Sequence, residues 1–321
     1  MGAEAKNCTE KGVGACQCFF LFSKNCMIRE IDLNEGGEEV LKKEFTKTIK
    51  CGPYTLDYGK KTIIMGILNV TPDSFSDGGK YNNPDKAIEH ANQMVENGAD
   101  IIDIGGESTR PGHTPLTVEE ELERVIPAVQ AISKHVHVPI SVDTFKAEVA
   151  KQAIEAGAHI INDIWGAKAD EMMPQVAAEL KCPIILMHNR PNRNYQQFMR
   201  DALNDLYESI ILVKNAGVMD EDIILDPGIG FAKDYQEDME MMRNLDKLVA
   251  TGYPVLLATS RKRMIGNTLD LPVDQRMEGT GATVCHGIQK GCQMVRVHDV
   301  KEIARMAKMM DALMGKGGQH G

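Results

Sequence analysis

Asp222-Ile223-Ile224-Leu225-Asp226 is a short apolar run that ends in a carboxylate. Comparable runs recur along residues 62–300. Residues 63–70 carry Asn69, residues 100–104 lead into Glu107, and residues 139–142 end at Asp143. Residues 159–161 end at Asn162, 183–187 at His188, and 253–259 at Ser260. Residues 294–297 end between Arg296 and His298. Between the runs lie helical patterns over residues 84–97, 118–133, 146–156, 170–180, 196–216, 235–250, 274–290 and 300–314. Buried strands, crossover helices and polar groups at the strand ends predict an α/β fold, a (β/α)8 TIM barrel.

Local punctuation agrees with this. Asn83-Pro84 offers an N-cap followed by proline at the first helical position. Thr117 and Glu120 have capping-box spacing. Gly98, Gly157 and Gly217 each follow a helical pattern, as helix-terminating glycines do. Residues 51–61 read as a hairpin about a Gly59-Lys60-Lys61 turn, placed to plug the barrel bottom. The expected organisation is an N-terminal extension over 1–50, a barrel over 51–315 and a short tail over 316–321. The extension includes a helical stretch at 38–47. Methionines 306, 309, 310 and 314 on the last helix suit core or subunit packing.

Bulk properties narrow the function. The chain has 321 residues, and its net charge of −10 argues against a nucleic-acid footprint. No stretch approaches the roughly 20 apolar residues of a membrane span. Four of the eight cysteines fall in the first 26 residues, where Cys16-Gln17-Cys18 is a poor match to zinc spacing. Cys51, Cys182, Cys285 and Cys292 are scattered, as reduced thiols of a cytoplasmic protein are.

Three sets of residues carry chemistry. Asp143, Asn162 and Asp226 aim two carboxylates and an amide into the barrel mouth, a set suited to a heterocycle rich in N–H donors, such as a pterin or a guanine-like ring. Ser260-Arg261-Lys262-Arg263 with Arg296-Val297-His298 place cations where this fold usually binds phosphate. Asn69 opens the long loop 71–83 and can offer an oxygen to Mg²⁺. That loop, 108–117 and 261–273 are long, polar connections at the same face.

Residues 69–79, 106–112, 141–144, 162–164, Asp226-Pro227-Gly228-Ile229-Gly230-Phe231, Ser260-Arg261-Lys262 and Arg296-Val297-His298 together resemble dihydropteroate synthases, in family order over about residues 50–315. The resemblance implies condensation of 6-hydroxymethyl-7,8-dihydropterin pyrophosphate with p-aminobenzoate in folate synthesis, with Mg²⁺. It implies that Asp143, Asn162, Asp226 and Lys262 hold the pterin, with Met187 against the ring. Asn69, Arg110, Arg296 and His298 would take pyrophosphate, and Asn69 the metal. Phe75, Thr109, Pro111, Phe231 and Arg263 would shape the p-aminobenzoate pocket, with Asp77 on a closing loop. Asp226, Lys262, Arg296 and His298 would be the catalytic set. The family is cytoplasmic and homodimeric.

One departure stands out: Ala258 occupies a position where the family usually has glycine. Two alternatives share parts of the pattern. A pterin-dependent methyltransferase would use Asp143, Asn162 and Asp226 without the cationic corner, and a non-catalytic pterin-binding barrel would need no chemistry at all. Residues 1–26 show neither core periodicity nor good metal spacing. Their deletion is expected to leave the melting temperature and turnover unchanged; a large fall in either would assign them a structural role.

Overall fold

The computed structural model describes residues 47–70, 84–107 and 116–317. Two antiparallel strands come first, β1 (Thr48–Cys51) and β2 (Tyr54–Asp57), paired with Cys51 opposite Tyr54. Eight parallel strands follow: β3 (Ile63–Asn69), β4 (Ile101–Gly105), β5 (Ile140–Asp143), β6 (Ile160–Asp163), β7 (Ile184–Met187), β8 (Ile223–Asp226), β9 (Leu256–Leu257) and β10 (Met294–Val297). Their spatial order is β8-β7-β6-β5-β4-β3-β10-β9. The ring closes through a parallel bridge between Leu225 and Val255, with Leu225 N donating to Pro254 O at 2.9 Å. The expected (β/α)8 barrel is therefore present.

Ten helices are seen among the described residues: α1 (Pro84–Glu96), α2 (Val118–Ile132), α3 (Ala147–Glu155), α4 (Met173–Leu180), α5 (Phe198–Ala216), α6 (Tyr235–Arg243), α7 (Leu245–Val249), α8 (Arg263–Leu269), α9 (Met277–Gln289) and α10 (Val300–Leu313). Thr117 and Glu120 form the expected capping box on α2. Gly98, Gly157 and Gly217 all have positive φ, so the three helix stops read from sequence are real.

Alternation along the strands divides the core in two. Ile64, Leu68, Ile102, Ile104, Val142, Ile161, Leu186, Leu225 and Val295 belong to one cluster with the surrounding helices. Ile63, Met65, Ile101, Ile160, Ile185, Ile224, Leu256 and Met294 belong to another, with Ile49, Cys51 and Leu56 of the hairpin. The hairpin thus plugs the lower end of the barrel interior. Each large aliphatic side chain buried there contributes on the order of 2 kcal/mol.

Three expectations about local structure need correction. The hairpin turns at Gly52-Pro53, not at Gly59-Lys60-Lys61, which instead leads into the first barrel strand. Gly52 has φ +58°, and a Cβ there would stand 2.7 Å from the His159 ring. The helical pattern over 235–250 is two helices, because Asn244 leaves helical geometry at φ −112°, ψ 21°. The connection 261–273 is not simply a loop, since α8 occupies most of it. Its helical character was masked by Gly266, a poor helix former. A Cβ there would meet the Arg276 guanidinium at 2.1 Å and displace it from the Leu271 and Arg261 carbonyls it holds. The helical stretch expected at 38–47 lies essentially outside the described residues.

The last helix locks the first barrel strand in place. Asp311 on α10 is buried and accepts from Thr62 N and Thr62 Oγ1, both at 2.7 Å. Asp311→Ala would orphan two buried donors, an expected loss of about 2–3 kcal/mol and roughly 5–10 °C in melting temperature. Asp311→Asn keeps an acceptor and should lose less. A melting curve for Asp311→Ala superimposing on wild type would show that this lock contributes nothing.

Candidate active site

One step up five of the strands from the lower inward layer, the inward position is charged or an amide. Ile101 is followed by Asp103, Ser141 by Asp143, Ile160 by Asn162, Ile224 by Asp226 and Met294 by Arg296. Burial of so many charges requires partners. Arg296 supplies much of that requirement: its Nε donates to Asp103 Oδ2 at 2.6 Å and its Nη2 to Asp143 Oδ2 at 2.7 Å. Burial pulls the guanidinium pKa down, but Asp103 and Asp143 outweigh it and hold the value above the ordinary range. Asn162 Nδ2 makes a longer contact to Asp103 at 3.3 Å.

The sequence points to Glu107 rather than Asp103 at the end of the run over residues 100–104. In the structure Glu107 pairs with Lys146 at 2.7 Å, and Lys146 also pairs with the buried Glu121. The available signal was parity: Asp103 shares the inward face with Ile101, whereas Ile102 and Ile104 face the helices.

Asp143 retains an unmet need. Among the described residues its buried Oδ1 has no hydrogen-bond partner, and neither has Ser141 Oγ beside it on β5. Burial pushes the Asp143 carboxyl up to about 7, against the opposing pull of Arg296. A Cβ built on Gly105 would stand 3.5 Å from Asn69 Oδ1 and 3.7 Å from Asp143 Oδ2. Asn69 and Asp143 therefore border one opening, and Asn69 is exposed at its strand end. Met187 is buried on the inward face of β7, two residues above Ile185. Ala258 is partly exposed two residues beyond Leu256, so alternation directs its methyl into the same space.

The segment after β8 is tightly held. Asp226 Oδ1 accepts from Gly228 N at 2.7 Å, and burial raises this carboxyl to about 6 despite that bond and the nearby Lys262 and Arg296. Gly228 has φ +65°, and a Cβ there would fall 2.0 Å from His188 O, so no other residue fits. Phe231 lies beneath Lys262, whose Nζ is 4.3 Å from the ring centroid. Burial lowers the Lys262 ammonium to about 8, with Asp226 pulling the other way.

The cationic corner differs from its appearance in the sequence. Arg261 is committed to Asp299, with Nε at 3.1 Å and Nη2 at 2.5 Å from its two oxygens. Arg263 is exposed at the start of α8. Arg296 is shared between carboxylates, as described above. His298 is tied to Ser260: Nδ1 lies 2.9 Å from Oγ, and His298 N donates to the same oxygen at 3.1 Å. If the hydroxyl donates to Nδ1, the imidazole proton belongs on Nε2, where it can serve an anion.

His188, at the end of β7, does not belong to the mouth; it is buried and bonded to Asp205 at 3.0 Å. Phe75, Asp77, Thr109, Arg110 and Pro111 lie outside the described residues. Among the described residues, no group of three or more His, Cys, Asp or Glu side chains could hold a metal.

Comparison with known proteins agrees with this geometry. Residues 65–298 match the pterin binding enzyme family. The dihydropteroate synthase of Bacillus subtilis is 62% identical over 275 residues, covering 86% of this chain and 96% of that protein. A Clostridium difficile dihydropteroate synthase crystallised in the presence of pteroic acid superposes with a TM-score of 0.78 at 49% identity, covering 80% of this chain and 98% of that one. The Xanthomonas albilineans dihydropteroate synthase with 4-aminobenzoic acid gives 0.80 at 37% identity, over 84% and 99%. A family match spanning the barrel from β3 to His298, joined to this identity and this superposition, makes the chain a member of the dihydropteroate synthase family of transferases.

Proposed function

We propose that the barrel mouth condenses 6-hydroxymethyl-7,8-dihydropterin pyrophosphate with p-aminobenzoate, giving 7,8-dihydropteroate and pyrophosphate for folate synthesis. The observation that carries this reading is Asp143 Oδ1, buried and without a partner among the described residues, on a carboxylate that shares Arg296 with Asp103, stands opposite Asn162 in the sheet and feels the charge of Lys262. A pterin edge presents N–H donors that can satisfy it, and Asn162 adds one donor and one acceptor. Asp143, Asn162, Asp226 and Lys262 hold the pterin in this reading, with Met187 against its face.

The arylamine nitrogen attacks the pterin methylene carbon, the C–O bond to pyrophosphate breaks, and the amine loses a proton. No side-chain nucleophile is required. Asp226 offsets the positive charge that develops on the pterin as the bond breaks, and Arg296, His298 and the loop residue Arg110 take the charge of the departing pyrophosphate. Holding the two reactants in contact contributes much of the rate. Phe231 and Arg263, with Phe75, Thr109 and Pro111, form the p-aminobenzoate side. Asn69 is an exposed neutral oxygen donor at the opening it shares with Asp143, which fits Mg²⁺, a cation that takes few protein ligands and completes its shell with phosphate oxygens and water. When bound there, the ion would supply charge neutralisation to the leaving group.

The setting is proposed to be cytoplasmic and homodimeric. Cys51, Cys182 and Cys292 are buried free thiols, as a reducing compartment permits. No helix among the described residues is long and apolar enough to cross a membrane. On α10, Met306 and Met310 pack on the core, whereas Met309 and Leu313 are 58% and 68% exposed one turn apart. That apolar pair suits contact with a second subunit.

Incubation with pterin pyrophosphate and labelled p-aminobenzoate should yield labelled dihydropteroate and pyrophosphate in equal amounts. Pyrophosphate release without the labelled product would contradict the assignment. The pH dependence follows from the same groups. Asp143 and Asp226 are both needed as anions and burial raises both, to about 7 and about 6, so kcat/KM should begin to fall as pH drops through about 7 and fall more steeply below about 6. Lys262 is needed as a cation and is lowered, so kcat/KM should also fall above about 8. Asp226→Asn should lower turnover by about two to three orders of magnitude while the protein remains folded. An acid limb near 6 that survives in Asp226→Asn would have to belong to another group.

A further inference from the structure

Lys233 is a buried lysine that the proposed chemistry does not use; it is 2% exposed. Its Nζ lies 2.9 Å from Gly228 O, 3.0 Å from Phe231 O and 2.7 Å from His188 Nδ1. Three acceptors match the three protons of an ammonium group. Burial drives the His188 imidazole down to about 4, so it is neutral near pH 7 and able to accept at Nδ1. Its Nε2 then donates to Asp205, which also pairs with Arg190 at 2.7 Å. Burial lowers Lys233 to about 7, with Asp238 and Asp226 opposing.

These bonds converge on residues 228–232. Gly230 N donates to the buried Asp238 at 2.7 Å, and Tyr195 OH donates to Ala232 O at 2.8 Å. Gly230, at φ +82°, runs beside Lys262: a Cβ there would meet Lys262 Cδ at 3.4 Å. Lys262 therefore rests between the Gly230 backbone and the Phe231 ring. A shift of this short segment would move one wall of the site and the cation lying on it.

We infer that Lys233 is a positioning residue for the transfer reaction: its ammonium fixes the backbone of residues 228–231 and thereby sets Phe231 and Lys262 against the substrates. The ammonium joins two loops, through His188 after β7 and through Gly228 and Phe231 after β8. It does so from behind the site and is not itself a substrate contact. This rests on the reading of Phe231 as part of the p-aminobenzoate pocket.

The test is a double-mutant cycle on steady-state kinetics, with Lys233→Met, Phe231→Ala and the double variant in the full-length chain. Each single variant should raise the KM for p-aminobenzoate tenfold or more. The double variant should rise by clearly less than the product of the two single effects, because part of what Lys233 does passes through Phe231. Multiplying effects, or a wild-type KM in Lys233→Met, would overturn the inference. If Lys233→Met lacks a cooperative melting transition, His188→Asn serves in its place: it keeps the charge but is too short to accept from it. There the KM should rise threefold or more, and by less in the Phe231→Ala background; a wild-type KM would again overturn the inference. Absence of synthase turnover in wild type would sink the proposed reaction instead, which keeps the two failures distinct.

Discussion

A side-chain period of two, imposed by β-structure, governs what this barrel can hold at its mouth. Every inward residue lies two positions from the next, so one apolar layer and one polar layer exhaust most strands. The lower layer is sealed by Ile49, Cys51 and Leu56 of the hairpin. The upper layer then brings Asp103, Asp143 and Asp226 together with Arg296 and Lys262 in a space largely shielded from water. Charges so placed are costly unless paired. The Arg296 guanidinium bridging Asp103 and Asp143 is the interaction that makes the layer tolerable. It also presents Asp143 with one oxygen satisfied and one waiting.

Backbone around the mouth is shaped to the same end. Gly105 leaves room between Asn69 and Asp143, and Gly228 lets the chain after β8 pass against His188 O. Buried ionic groups behind the site hold the turn after β8, Asp238 on Gly230 N and Lys233 on Gly228 O and Phe231 O, and the half-buried Arg276 holds Arg261 O at 3.1 Å after β9. A site built this way is preorganised, so little reorganisation is left for the moment of reaction. Arg276 shows how far the dependence reaches. It crosses Gly266 of α8 to hold the carbonyl beside Lys262, so a glycine distant from the chemistry supports a residue proposed to contact the pterin.

Much of this was legible in the sequence, for physical reasons that differ by element. The strands were clear because parallel strands buried on both faces leave continuous apolar runs, and Asp143, Asn162 and Asp226 were clear because each terminates one. Asp103 was hidden because it lies within its run, where a charge looks like an interruption. The cationic corner was overread: Arg261 and Arg296 looked like unspent charge, and only three-dimensional contact reveals Asp299, Asp103 and Asp143 as their partners. Helix α8 was hidden by a glycine whose cause lies ten positions downstream at Arg276. The Lys233–His188 bond spans 45 residues and leaves no local trace.

In the proposed function the upper layer is a preformed pterin site whose open valence is Asp143 Oδ1. Calorimetric titration of wild type and Asp143→Asn with a 6-substituted pterin tests it directly. In the variant, Arg296 retains the side-chain oxygen and an NH2 group faces the ligand's own donors. The predicted result is an affinity weaker by about a hundredfold or more, on the order of 3 kcal/mol, in a protein that still melts cooperatively. Equal affinity in the two proteins would contradict the account, because the pterin would then be held without the oxygen around which the site is arranged.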